Sequence, residues 1–322
     1  MDDEMRIDER DVIFSRMARR PGSPEYEEYY ARHPEREVVD HQARTCPPLG
    51  SESTPTFDPE VTPIVDGLFT LLAGLHPLAD GPAADEKMPG DAASYTAWAR
   101  KLALTAGASG VGALALDPDH YYSHRGRRAE HYGRPVNDFM PYGLVVAVPM
   151  NPELVRQAPK ALEMKATVLG YLEAAKVALA LAFSIRQAGY RARAHIDGHY
   201  LLPLRRLARE SGVGVVGRNG LIITRDHGPC IRLAAVDTDL PLIPDAPDPD
   251  EEKIIEFCRI CGICSQRCAA IPKEPWPGGL PDADICYKTW RKLGTDCGRC
   301  IGHCPLTGRR VDWASLTAPD GH

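Results

Sequence analysis

Long hydrophobic runs are missing from this 322-residue chain. The longest weakly polar stretch read by eye, Leu102–Leu116, contains Gly107, Gly110 and Gly112. It falls short of the ~20 apolar residues a spanning helix needs, so no membrane anchor is expected. The opening MDDEMRIDERDVIF has no apolar h-region of a secretory signal. Arg19-Arg20 is followed by PGSPEYEEYY, not by an apolar stretch, which argues against a twin-arginine export signal. A cytoplasmic location is the expectation. Neither sign of charge dominates: the formal net charge is -6, which argues against a protein that coats nucleic acid. Aromatic residues are only 7% of the chain. Cysteine is nearly absent before position 258, where only Cys46 and Cys230 occur. Both read as free thiols.

What the chain does hold is a globular composition, 43% hydrophobic and 25% charged, with 28 glycines and 29 prolines that promise many loops. Eight cysteines crowd into the segment from Cys258 to Cys304. The first run is Cys258-x2-Cys261-x2-Cys264-x3-Cys268. The second is Cys297-x2-Cys300-x3-Cys304-Pro305, with Cys286 upstream. Clusters of this kind in reducing surroundings bind metal rather than form disulfides. A short C-x2-C-x2-C loop wraps three corners of a cubane, and the fourth cysteine of the run reaches over to the other cluster. This rule assigns Cys258, Cys261, Cys264 and Cys304 to one [4Fe–4S] cluster. It assigns Cys268, Cys286, Cys297 and Cys300 to a second. Zinc knuckles also use C-x2-C pairs, but the 2-2-3 spacing and the trailing proline fit zinc poorly. His303, between two of these cysteines, reads as a surface residue.

Upstream, residues 1–90 are rich in proline and charge. They read as an extended arm with short helices near Pro24–Ala31 and Pro63–Leu75. From about residue 91 the pattern changes. Helices are predicted over Ala92–Ala106, Met164–Ala188 and Leu201–Ser211. Strands are predicted at Val111–Leu116, Leu144–Pro149, Tyr190–His195, Leu221–Thr224 and Ile231–Val236. Alternating strands and helices argue an α/β core over 91–245. Pro241–Pro249 reads as a linker, and Asp250–Phe257 as a helix leading into a ferredoxin-type module over 246–322.

Several segments together resemble corrinoid-dependent reductive dehalogenases over nearly the whole chain. They are Arg20–Tyr26, Tyr122–Arg127, Gly170-Tyr171, Ala188–Tyr190, His195–Asp197, Gly217–Gly220, Gly228–Leu233 and Thr238–Pro241, with the cysteine runs behind them. Each motif alone is weak; their order and spacing carry the match. The resemblance implies a nitroreductase-like corrinoid-binding core followed by a two-[4Fe–4S] module. It implies base-off cobalamin reduced through the clusters, and exchange of carbon–halogen for carbon–hydrogen in an organohalide. The chain lacks the D-x-H-x-x-G run that replaces the lower cobalt ligand in other corrinoid enzymes.

By the same resemblance Tyr171 is the general acid, since a phenol with a pKa near 10 keeps its proton at working pH. Arg232 matches the basic partner. Its charge would lower the tyrosine pKa and hold phenolate, halide or a substrate carboxylate. Asp197 matches the place where epoxyqueuosine reductases carry an acidic residue, and Asp197-Gly198 also reads as a simple turn. Gly217, Arg218, Asn219, Gly220, Gly228 and Pro229 are expected against the corrinoid edge, where glycine lets the backbone come close. Tyr122–Arg127 reads either as a cofactor or substrate contact or as a polar surface loop. Ala269 follows Cys268 where ferredoxins often have proline. The expected electron donor is a separate reductase or ferredoxin. An epoxyqueuosine-type tRNA reductase and a non-catalytic corrinoid or electron-transfer protein are the alternatives, the first opposed by the negative charge.

Overall fold

The structure is a computed structural model, and it describes residues 6–273, 279–313 and 316. In the first part of the chain lie helices α1 (Ile13–Ala18), α2 (Pro24–Arg32), α3 (Pro34–Arg44), α4 (Thr62–Gly74) and α5 (Ala92–Ala106). Strands β1 (Gly110–Ala115) and β2 (Tyr142–Pro149) follow, then α6 (Pro152–Val155), α7 (Ala161–Gln187), β3 (Ala192–His195) and α8 (Leu204–Glu210). Next come β4 (Val215–Val216), β5 (Ile222–Ile223) and β6 (Ile231–Thr238). The cysteine-rich part holds α9 (Glu251–Cys261), α10 (Ile263–Arg267), α11 (Ala283–Leu293) and α12 (Arg299–Gly302).

Four strands form one sheet in the order β1-β2-β6-β3, every pair antiparallel. β2 is buried from Gly143 to Val148 because both of its faces are covered. Leu144, Val146 and Val148 meet the α7 side, while Val145 and Ala147 meet Leu207 and Ala208 of α8. That explains its unbroken apolar sequence. β4 and β5 form a separate small ribbon, so the strand expected at Leu221–Thr224 lies outside the main sheet.

α5 begins and ends where the sequence says. Asp91 accepts from Ser94 N at 2.8 Å, Asp91 N donates back to Ser94 Oγ at 3.0 Å, and Gly107 closes the helix at φ +118°. α7 lays Ala174, Ala178, Ala182 and Ile185 against the sheet; small residues at this spacing bring helix and strands close. It ends at Gly189, φ +81°, where a side chain would collide with the Glu86 carbonyl. α7 is also long and apolar enough to cross a membrane by length and composition, with 56% of its most apolar window buried. This corrects the reading by eye that put the longest run at Leu102–Leu116.

The first 90 residues are less detached than an extended arm. Val65 of α4 packs on Met164 and Val168 of α7. Arg16 of α1 pairs with Asp40 of α3 at 2.9 Å and contacts Asp284 of α11. Phe14 stacks edge-on against Tyr287 and tilts against Trp290, with ring centroids 5.9 and 5.6 Å apart. The N-terminal helices thus clasp the helix that carries Cys286.

His195, in a motif of the resemblance, and Asp237 build the sheet interior. Asp237 lies 3.0 Å from His195 Nε2, accepts from Tyr121 Oη at 2.8 Å and pairs with Arg193. Burial alone would raise its pKa, but His195 and Arg193 outweigh burial and hold it at about 2. A depressed carboxyl stabilises the fold above its unfolded value and loses that contribution as pH falls toward the folded one. Asp237→Asn is expected to cost about 3 kcal/mol at neutral pH. It should also flatten the loss of stability between about pH 4 and 2. Denaturant titrations across that range measure both.

Candidate active site

The eight clustered cysteines gather in two places. Cys258 and Cys261 of α9, Cys264 of α10 and Cys304 line one small cavity. Cys268, Cys286 of α11, Cys297 and Cys300 of α12 line a second, larger cavity of about 650 Å³. Both groups match the sets read from the spacing. Burial pushes the thiols of Cys258, Cys264, Cys286, Cys297, Cys300 and Cys304 up, and neighbouring cysteines push further. Cys304 rises to about 12 beside Cys258, Cys264 and Cys261. Cys300 rises well above its ordinary value beside Cys286, Cys268 and Cys297. A cationic centre is what would turn such groups into thiolates. Among the described residues no three His, Cys, Asp or Glu side chains converge tightly enough for a single metal ion. A cubane spaces its thiolates more widely than one ion does.

The turns around these thiols are built for close approach. Gly262 breaks α9 from α10 at φ +57°. Cys297 itself adopts φ +66°, a strained conformation for a residue with a side chain, costing on the order of 1–3 kcal/mol. Gly298 follows at φ +60°, and any side chain there would run into the Glu163 carboxyl.

Tyr171 and Arg232 face the same large cavity. Arg232, on β6, reaches past Gly170, where a Cβ would come within 2.9 Å of Met150 and 3.0 Å of the Arg232 side chain. Glycine at this helix position therefore serves the arginine. The guanidinium carbon sits 4.9 Å from the Tyr171 ring centroid, Nη2 donates to Thr167 Oγ1 at 2.7 Å, and Asp296 Oδ2 is 3.8 Å away. Burial raises the Tyr171 pKa and the nearby Arg232 opposes it; burial wins. The lowering effect expected of Arg232 is present, but burial outweighs it.

Asp197 is close to this pair without lining the cavity. Its Oδ1 lies 3.8 Å from Arg127 Nη1, its carbonyl accepts from His76 Nε2 at 2.8 Å, and Gly198 turns at φ +77°. Its charge still reaches Tyr171 and Arg232. The loop Gly217–Gly220 closes tightly, with Gly220 N donating to Gly217 O at 2.8 Å. Asn219 and Gly220 line the large cavity. Arg218 and Asn219 also line the smaller one, and the Arg218 backbone N–H faces the Cys258 sulfur. Gly228 and Pro229 do not line the large cavity. Gly228, at φ +57°, packs instead on the Leu306 backbone just past Cys304-Pro305. There a tight turn seats the cysteine module on the core.

Sequence reasoning missed Glu163, Asp296 and the aromatic roof of Phe14, Tyr287 and Trp290. Glu163, Thr167 and Tyr171 recur every fourth residue on one face of α7, which is the signal that was there to be read. Glu163 is fully buried; Oε1 accepts from Thr167 Oγ1 at 3.2 Å and Oε2 has no partner. Burial first, and then Asp296, push its carboxyl well above the ordinary range, so it keeps a proton. A carboxyl of raised pKa loses its stabilising share as pH climbs from the unfolded value. Glu163→Gln is therefore expected to match the parent within about 1 kcal/mol near pH 4 and to be the more stable of the two at pH 8. It should also lose less stability than the parent between pH 5 and 8 in guanidinium titrations.

Comparison with known proteins bears on the family and the fold. Tetrachloroethene reductive dehalogenase of Desulfitobacterium hafniense is 30% identical over 240 residues, 68% of this chain and 40% of that protein. The chain belongs to the reductive dehalogenase family. A second reductive dehalogenase, the tetrachloroethene enzyme of Sulfurospirillum multivorans, is 31% identical over 179 residues, 51% of this chain and 35% of that one. The solved catabolic reductive dehalogenase NpRdhA superimposes with a TM-score of 0.74 at 22% identity, over 95% of this chain and 43% of that one. The chain spans about 40% of the length of the family members it matches. No protein-family model matches it.

Proposed function

We propose that this reductive dehalogenase homologue replaces carbon–halogen by carbon–hydrogen in an organohalide, using a corrinoid fed by two [4Fe–4S] clusters. One observation carries the reading: Tyr171, Arg232 and all four cysteines of the second set line one cavity. An acid, a cation and a site for electrons thus share a single space. Cys258, Cys261, Cys264 and Cys304 would hold the first cluster. Cys268, Cys286, Cys297 and Cys300 would hold the second. Asn219, Gly220, Leu221 and Arg205 are the wall that would hold the corrinoid. When bound, the corrinoid supplies a low-valent cobalt that breaks the carbon–halogen bond, while the clusters carry electrons to it.

The net change takes two electrons and one proton and releases halide. Tyr171 keeps its proton at neutral pH and can give it to the developing carbanion. Arg232 then faces the phenolate that remains, and its charge favours that form. The roof of Phe14, Tyr287 and Trp290 limits water at the carbanion. The named activity of the relatives on tetrachloroethene supports an organohalide substrate.

The test is anaerobic. The protein is reconstituted with iron, sulfide and cobalamin, given a reduced ferredoxin, and offered tetrachloroethene, halogenated phenols and halogenated benzoates. Halide release is the expected result. A protein holding both clusters and cobalamin that frees no halide across the panel overturns the reading.

A further inference from the structure

A third cavity, of about 350 Å³, lies between the α1–α2 turn and the loop 126–132. Arg19, Arg20 and Arg127 line it with a single carboxylate, Glu25, and with Tyr132. Arg19 is the telling residue. It is only 5% exposed. Its guanidinium carbon lies 3.9 Å from the Tyr29 ring centroid and 5.0 Å from that of Tyr132. Nη2 donates to the Arg10 carbonyl at 2.8 Å, and the guanidinium also hydrogen-bonds the Tyr132 side chain. Burial pushes its pKa down, with tyrosines as the neighbours that oppose the shift. A desolvated cation is costly unless a negative charge nearby offsets it.

Two further features point the same way. α2 begins at this cavity, capped by Ser23, and a helix start favours negative charge. The lining carries three positive groups against one negative. The volume, at the lower end of small-molecule sites, is far more than a bare halide fills.

We propose that this cavity binds a small organic carboxylate, its charge held by Arg19, Arg20 and Arg127 and its apolar body against Tyr132. The site shares a wall with the large cavity. Arg127 Nη1 lies 3.8 Å from Asp197, and its guanidinium carbon 5.2 Å from the ring of Phe14, which lines the large cavity. The inference stands independently of the reaction assigned to that cavity.

Calorimetric titration of the cofactor-loaded protein with benzoate, and separately with sulfate, tests it. Benzoate is expected to bind more weakly as salt is added. Arg20→Gln, at an exposed position that leaves the fold intact, is expected to weaken it about tenfold, and Arg19→Met at least as much. In crystals soaked with 3-bromobenzoate, bromine anomalous density should appear beside Tyr132. Unchanged benzoate affinity in Arg20→Gln, or bromine in the large cavity alone, overturns the proposal. Binding of sulfate without benzoate also overturns it, by assigning the cavity to inorganic oxyanions.

Discussion

Tyr171→Phe is expected to lower halide release by about 10²–10⁴-fold, the usual span for a lost general acid. Iron and cobalamin content should stay at the parent level. The phenol is the titratable hydroxyl that lines the large cavity beside Arg232. Burial keeps its proton in place, so the parent's rate should not decline through loss of that proton anywhere below about pH 10. Asp197 is the competing donor. Its carboxyl is turned toward Arg127 and does not line the cavity. Asp197→Asn should therefore keep turnover within about tenfold, an effect exerted through the field at Tyr171. The reverse ranking of the two variants would move the proton to Asp197. Turnover assays with parallel metal and corrinoid analysis separate these outcomes.

Cys300→Ala is expected to remove halide release and to lower iron from about eight to about four atoms per chain. Cys304→Ala should lose the same amount of iron but from the other site, so the two variants should leave different low-temperature EPR signals. This pair tests the crossing of the chain between the two sets. Cys300 follows Cys297 closely and both stay together, whereas Cys304, only four residues on, joins Cys258, Cys261 and Cys264. Cys230→Ala is the control. Cys230 is buried in the apolar group of Met150, Val155 and Ile301, next to Cys300, but it lines neither cysteine cavity. Its loss should leave iron unchanged. A fall in iron in Cys230→Ala, or equal spectra for the other two variants, would overturn the assignment.

Much of this was legible because it is local. The cysteine spacing places eight thiols with no knowledge of the core. Helix α5 could be read to the residue because Asp91 and Gly107 mark its ends. The apolar run of β2 announces a strand covered on both faces. What escaped reading is what tertiary contact decides. α3 has few apolar residues and holds through Asp40, which meets Arg16 and Tyr30. α11 has no buried residue, and its seat comes from Phe14 and Arg16. Glu163 and Asp296 stand far apart in the chain and meet only when α7 packs on the Cys297 turn. Gly228 carries no mark in the sequence that distinguishes a corrinoid contact from a seat for Leu306.

The clasp between the N-terminal helices and α11 bears on how the protein matures. Residues 13–44 close over α11 through Phe14, Arg16 and Asp40, contacts that span most of the polypeptide. Such distant pairings form late. During synthesis the N-terminal helices emerge well before α11, so they wait without their docking site until α11 leaves the ribosome. On the proposed cluster assignment, inorganic sulfide and iron would have to enter before that latch shuts, or the latch would have to reopen for them. Loading the apoprotein should therefore be slow once it has folded and fast while it is still being made.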